Sequence, residues 1–423
     1  MIKINGGVCA AKGFIASGVG IGIKSTPPNM PRESTPAKKD LAIIYCEKKC
    51  NTAALYTQNK VKAAPILVTM GHLADNQAQA VVVNSGNANA CTANSMEIAE
   101  PMCELTAKSL GISKEDVIVA STGVIGQPLT IEPFEKGIPA LSEALSQSGS
   151  SQAAEAIMTT DTFPKEFAVE FELDGVTCKI GGITKGSGMI HPNMDTCAED
   201  TCAEATMLAF ITTDVNISAE LLQKALRETN LKTFNMISVD GDTSTNDMVC
   251  IMASGLAGNA EIVCESSNYE RFCAALYTVM EDLAKQIARD GEGATKLIEC
   301  TVRGAADELT AKSVAKTVIS SSLVKAALGA ADANWGRILC AIGYSDGRFT
   351  VDNVQLTISS SKGEVVVCKG GAGVEFCEEK AFEILSEDEV TIIIDLHSGT
   401  ASATAWGCDL TEEYVKINAD YRS

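Results

Sequence analysis

This chain carries no excess of basic residues: 34 lysines and arginines stand against 54 aspartates and glutamates, a formal charge of −20 over 423 residues. That balance argues against nucleic acid and anionic membrane surfaces as partners, because both require clustered positive charge. It leaves the substrate open, since a local cationic pocket fits inside an acidic body. No apolar run approaches the ~20 residues of a membrane-spanning helix. Met1-Ile2-Lys3-Ile4-Asn5-Gly6-Gly7 lacks the charged start and unbroken apolar core of a secretory signal. A cytoplasmic location follows as the expectation, with the sixteen cysteines reduced and serving as small, buried apolar residues. Their scatter fits neither a disulfide framework nor paired zinc knuckles. Gly18-Val19-Gly20-Ile21-Gly22 lacks the spacing of a dinucleotide loop and reads as close backbone packing.

A hydrophobic content of 46% and a mean hydropathy of +0.11 indicate a well-cored globular protein. The length suits two domains or one large layered α/β body. Strand-like and helix-like segments alternate throughout, which predicts an α/β or α+β layered sandwich. Strands are expected at residues 41–46, 80–83, 117–120, 167–173 and 176–183, the last two joined by a hairpin at Asp174-Gly175. Helices are expected at residues 97–110, 219–229 and 269–288. The last puts Phe272, Leu276, Met280, Leu283 and Ile287 on one face. Residues 27–36, rich in proline, read as an exposed loop.

The chemistry concentrates in Lys185-Gly186-Ser187-Gly188-Met189-Ile190-His191-Pro192-Asn193-Met194 and, further on, Ala205-Thr206-Met207-Leu208-Ala209-Phe210. A glycine-rich loop leads to an Ala-Thr junction that opens an apolar strand. Such an arrangement suits a chain that cuts itself before Thr206, although a threonine at a strand start, taken alone, reads as structural. Threonine is a poor nucleophile until a base removes its proton. As the first residue of a new chain, its own α-amine, with a pKa near 8, serves as that base. Residues 84–90 and 121–126 each follow a strand, and taken alone both read as turns. A Thr122-Gly123 pair there would aim a hydroxyl and an amide at an oxyanion. Taken singly, Lys185 and Glu292 read as surface charges.

Together these segments resemble the ornithine acetyltransferase family, the glutamate N-acetyltransferases of arginine biosynthesis. The resemblance runs nearly end to end, from Gly6-Gly7-Val8 and Lys12-Gly13-Phe14 through residues 60–65, 84–90, 121–126, 158–162 and 185–194. It continues through residues 206–214, 238–247, 290–296 and 332–337 to Ile417-Asn418-Ala419-Asp420-Tyr421-Arg422-Ser423. It implies cleavage between Ala205 and Thr206 into an alpha chain (1–205) and a beta chain (206–423), two of each per assembly. The implied reaction is a ping-pong transfer of acetyl from N-acetylornithine to glutamate, with no metal or organic cofactor. Some members also accept acetyl-CoA as donor, so acetyl-CoA stays open as a substrate. Carried over by motif, Thr206 is the nucleophile and Thr122 and Gly123 stabilise the oxyanion. Thr159, Lys185, Thr206, Glu292, Asn418 and Ser423 bind substrate, Lys185 as a point charge for an α-carboxylate and Glu292 for a cationic amine.

One departure stands beside the junction. Asp195-Thr196-Cys197-Ala198-Glu199 repeats at once as Asp200-Thr201-Cys202-Ala203-Glu204, where the family passes from Pro-Asn-Met straight into Ala-Thr. No histidine or second cysteine pair completes a zinc set there, so the insert reads as a solvated loop. Longer loops add little closure entropy, so it leaves the fold intact. Two rival expectations stand beside the transferase: a related self-cleaving aminopeptidase or amidase, in which water takes the acyl group, and, where the insert relaxes the strain at Ala205 and cutting fails, an uncut protein that only binds acidic amino acids.

Overall fold

The computed structural model describes residues 1–24, 38–195 and 207–420. The predicted loop at 27–36, the insert beyond Asp195, Ala205, Thr206 and Ser423 lie outside these residues. In chain order the strands begin with β1 (Ile2–Ile4), β2 (Phe14–Val19), β3 (Leu41–Thr57), β4 (Gln77–Asn87), β5 (Val117–Val124), β6 (Lys165–Leu173), β7 (Val176–Lys185), β8 (Met194–Asp195) and β9 (Leu208–Thr213). They continue with β10 (Ile237–Ser238), β11 (Met248–Ala253), β12 (Leu297–Ala305), β13 (Gln355–Ser360), β14 (Gly363–Lys369), β15 (Ala372–Gly373), β16 (Glu389–Asp395) and β17 (Ala401–Cys408). The helices are α1 (Ala64–His72), α2 (Ser95–Leu110), α3 (Glu132–Glu143), α4 (Ser150–Ile157), α5 (Ala219–Asn230), α6 (Ser267–Arg289), α7 (Glu308–Ser320), α8 (Ser322–Gly329), α9 (Trp335–Gly343), α10 (Glu378–Leu385) and α11 (Glu412–Asp420).

Two mixed sheets organise these elements, as the layered α/β expectation requires. The first has the order β1-β6-β7-β9-β11-β3-β4-β5, with β2 and β8 both pairing with β3. The second runs β10-β17-β12-β16-β13-β14-β15. Helix α6 packs on β6 and β7 of the first sheet and on β12 and β17 of the second. Its predicted stripe, Phe272, Leu276, Met280, Leu283 and Ile287, is fully buried there. Each such side chain contributes about 1.5–3 kcal/mol relative to exposure. The helix starts where the Ser266 hydroxyl accepts the Tyr269 N–H, capping an otherwise orphaned donor.

The β6–β7 hairpin closes on Asp174 and Gly175, both at positive φ (48° and 80°), as a two-residue turn between twisted strands requires. Two expectations need correction. Residues 84–90 and 121–126 are not simply turns: β4 extends to Asn87 and β5 to Val124 because their parallel ladder continues, pairing Ser85 with Thr122 and Gly86 with Gly123. Tertiary pairing overrides the turn preference of those residues. Nor are all cysteines buried. The described ones are all free, but Cys91, Cys264, Cys340 and Cys377 are exposed. Among the described residues no helix is long and apolar enough to cross a membrane.

Candidate active site

One cavity gathers side chains from five separated stretches of chain: Thr122 and Gly123, Thr159 and Thr160, Lys185 with Gly188 and Met189, Glu292, and Asn418. All the predicted site residues that are described meet here. Of the rest, Ala205, Thr206 and Ser423 lie outside the described residues.

The first wall is the end of the β4–β5 ladder. Gly123 has φ 129°, and a Cβ there would lie 2.4 Å from the Gly86 carbonyl carbon, so only glycine lets the two strands approach. Cross-links hold the frame. Ser121 Oγ donates to Asn84 Oδ1 (2.6 Å), and Asn84 Nδ2 donates to the Asn87 carbonyl (2.9 Å). Asn246 Nδ2 donates to both the Ala88 carbonyl (2.7 Å) and the Ser121 carbonyl (2.9 Å). Within this braced frame the Thr122 hydroxyl is buried and has no hydrogen-bond partner. Buried hydroxyls are normally paired, so an orphan at a cavity wall is poised for a ligand.

The second wall is built on buried charge. Lys185, at the end of β7, is 2% exposed, and Lys165 at the start of β6 is fully buried. Lys185 therefore departs from the surface reading, and Glu292 at 9% exposure does too. Lys165 Nζ bridges Asp161 (2.7 Å) and Asp290 (2.5 Å). Asp161 also accepts the backbone N–H of Thr159 (2.9 Å) and of Gly186 (2.8 Å), so one carboxylate fixes two walls of the cavity. Burial opposes its charge, but Lys185, then Lys165, and these donors outweigh burial and hold its pKa below the usual carboxylate range. Burial lowers the pKa of Lys185, with Asp161 pulling the other way and Lys165 adding to the drop.

Asp290 accepts the Thr162 N–H (3.0 Å), while its carbonyl takes the Ser187 hydroxyl (2.6 Å). Glu292 N–H then donates to the Ser187 carbonyl (3.0 Å). That contact brings the Glu292 carboxylate so close to Gly188 that any Cβ would meet it at 2.2 Å. Asn418 of α11 donates to Glu292 Oε2 (2.7 Å). The glycine-rich loop is held rather than loose. Met189 adopts φ 58°, and Asp240 accepts the N–H of Met189 (2.5 Å) and of Ile190 (2.8 Å). Lys316 of α7 donates to the Pro192 carbonyl (3.0 Å).

Chemically, the cavity offers an orphan hydroxyl beside a glycine, a buried cation, and a carboxylate–amide pair. That set suits an amino acid presenting an acyl group, a carboxylate and an amine. Sequence reasoning assigned no role to Asp161, Lys165, Asp290 or Asp247. The three acidic residues lie in motifs at 158–162, 238–247 and 290–296, while Lys165 lies outside them, and a lone charged residue does not announce its partner. Among the described residues no group of His, Cys, Asp and Glu is arranged to hold a metal.

A family model described as the ArgJ family matches residues 18–423. The arginine biosynthesis bifunctional protein ArgJ of Symbiobacterium thermophilum is 50% identical over 419 residues, covering 99% of each chain. Its counterpart from Caldanaerobacter subterraneus is 48% identical over 421 residues, again 99% of each. Among solved structures, an arginine biosynthesis bifunctional protein ArgJ from Bacillus halodurans is 52% identical, spans 51% of this chain and all of that one, and gives a TM-score of 0.49.

Proposed function

The chain belongs to the ArgJ family, and from that premise we propose how its cavity carries out acetyl transfer in arginine biosynthesis. The donor is N2-acetyl-L-ornithine and the acceptor L-glutamate. Self-cleavage before Thr206 frees an α-amine, which takes the Thr206 hydroxyl proton as the oxygen attacks the acetyl carbonyl. The Thr122 hydroxyl and the Gly123 N–H meet the oxyanion, an arrangement that typically lowers a barrier by about 3–4 kcal/mol per donor. As the C–N bond breaks, the ammonium proton passes to the departing nitrogen and ornithine leaves. Glutamate's amine then attacks the acetyl-threonine ester, giving N-acetylglutamate and restoring the hydroxyl. Lys185 faces the substrate α-carboxylate, Glu292 with Asn418 faces the ornithine side-chain ammonium, and Thr159 and Ser423 complete the contacts. Acetyl-CoA is a second donor in this proposal, and the cut chains stay together as two alpha and two beta chains.

The observation that carries the reading is the orphan Thr122 hydroxyl facing the same cavity as Lys185 and Glu292. The test is to incubate the purified protein with N-acetylornithine, with and without glutamate, and follow both products by mass spectrometry. Glutamate-dependent N-acetylglutamate is expected. Release of free acetate at an unchanged rate without glutamate would favour the amidase instead.

A further inference from the structure

The Thr122 hydroxyl has no hydrogen-bond partner within the protein, so its direction is inherited from the backbone that carries it. Asn246, buried just before β11, acts on that backbone, and the steps above do not use it. One N–H of its side-chain amide donates to the Ser121 carbonyl (2.9 Å) and the other to the Ala88 carbonyl (2.7 Å). The Ser121 carbonyl belongs to the peptide plane that ends on the Thr122 nitrogen, so holding it sets the plane from which the Thr122 side chain departs. Ala88 directly follows β4, the strand whose Ser85 pairs with Thr122. The amide is itself pinned. Its oxygen accepts the Thr245 hydroxyl, and the Asn246 backbone N–H donates to Ser244 Oγ (2.9 Å). On either side, Ala63 N–H donates to the Thr245 carbonyl (3.0 Å) and Thr57 N–H to the Asp247 carbonyl (2.9 Å). Turning the amide over would face its oxygen toward two carbonyls, so one orientation is fixed.

Resting on the oxyanion reading of Thr122 above, we infer that Asn246 is the positioning residue for the Thr122 hydroxyl. It does not line the cavity. It ties the ends of β4 and β5 together and so holds the Thr122 side chain where the oxyanion develops. A donor stabilises that charge most when it is already in place and need not turn as the charge forms. Two hydrogen bonds from one buried amide supply that rigidity, and neither involves the hydroxyl they aim. Asn246 follows the proposed cut in sequence, whereas Ala88, Ser121 and Thr122 precede it. The beta chain thus braces a donor that the alpha chain carries.

The test is a double-mutant cycle on kcat and KM for N-acetylornithine, using Asn246→Ser, Thr122→Val and the two together. Each rate is normalised to the fraction of chains cut, and each melting curve is measured first. Serine supplies one donor in place of two. In N246S kcat should fall at least about tenfold with KM within about threefold of the natural value, since a 1 Å misplacement costs about 10²-fold. With valine at position 122 there is no hydroxyl left to aim, so N246S should then change kcat by less than about threefold. A merely structural Asn246 would cost the same factor in both backgrounds, and that result would overturn the inference. So would a natural kcat in N246S, or a loss confined to KM, which would assign Asn246 to substrate binding. Thr245→Val is nearly isosteric and removes the hydroxyl that pins the amide, so it carries the same cycle if N246S does not fold. Its loss should be smaller and should again disappear beside T122V, and equal losses in both backgrounds would overturn the inference here too. A T122V enzyme at the natural rate would remove the oxyanion reading itself, and this inference with it.

Discussion

Replacing Thr122 with valine separates a catalytic hydroxyl from a structural one. The two side chains are nearly isosteric, and the Thr122 hydroxyl is buried without a partner, so valine breaks no hydrogen bond within the protein. Leaving a buried polar group unsatisfied costs about 1–3 kcal/mol, so its removal should leave stability unchanged or raise it. If the hydroxyl meets the oxyanion, losing it removes about 2.7–4 kcal/mol of transition-state stabilisation, a rate loss of about 10²–10³-fold. The assay is the ornithine burst from N-acetylornithine, normalised to the fraction of chains cut before Thr206, alongside a thermal melt. A T122V enzyme within about threefold of the natural rate would refute the oxyanion assignment. A drop of several degrees in melting temperature would refute the claim that the hydroxyl is idle in the resting fold.

Lys165→Met should be far more damaging to the fold, because it leaves Asp161 and Asp290 buried without their shared cation. Urea unfolding should show a loss of about 3–5 kcal/mol near neutral pH. Asp161 is held ionised partly by Lys165, so its contribution to the natural chain is present above about pH 4 and is lost as pH falls through its depressed pKa. In K165M the deficit should narrow on acidification, and a pH-independent deficit would contradict the charge argument. His191 is kept neutral by burial, with Lys316 adding to the effect, and its pKa falls to about 3. The unfolded chain binds a proton below about pH 6.5, so stability should decline between about pH 6.5 and pH 3, and His191→Asn should flatten that decline. Deleting residues 195–204 joins Met194 to Ala205 and loses the half-exposed Arg227–Asp195 pair, worth at most about 1 kcal/mol. The shortened chain should fold and be cut as before, and intact mass after purification decides it.

Much of the fold was legible because its signals are local. The Asp174-Gly175 turn and the apolar stripe of α6 are encoded within a few residues of where they act. The ends of β4 and β5 were not, because Asn84, Gly86 and Gly123 have turn preferences that only a parallel neighbour overrides. The same divide runs through the site. Resemblance named Thr122, Lys185, Glu292 and Asn418, but composition and spacing gave Lys185 and Glu292 the wrong environment. Lys165 and Asp290 stand 125 residues apart in sequence, and no periodicity connects them. Their pairing exists only once α6 delivers Asp290 beside the start of β6.

The order of the first sheet has a mechanical consequence for a chain cut at 205/206. Strands β9 and β11 come from the later piece, yet they lie between β7 and β3 of the earlier one. The β7–β9 and β11–β3 ladders would each have to be torn along six residue pairs for the pieces to part. A nick there severs the polypeptide without severing the sheet. Unfolding of the cut protein would remain a single event across both pieces, whereas its refolding would become second order, because two molecules must first find each other. A chain matured in this way is assembled only once, while it is still whole.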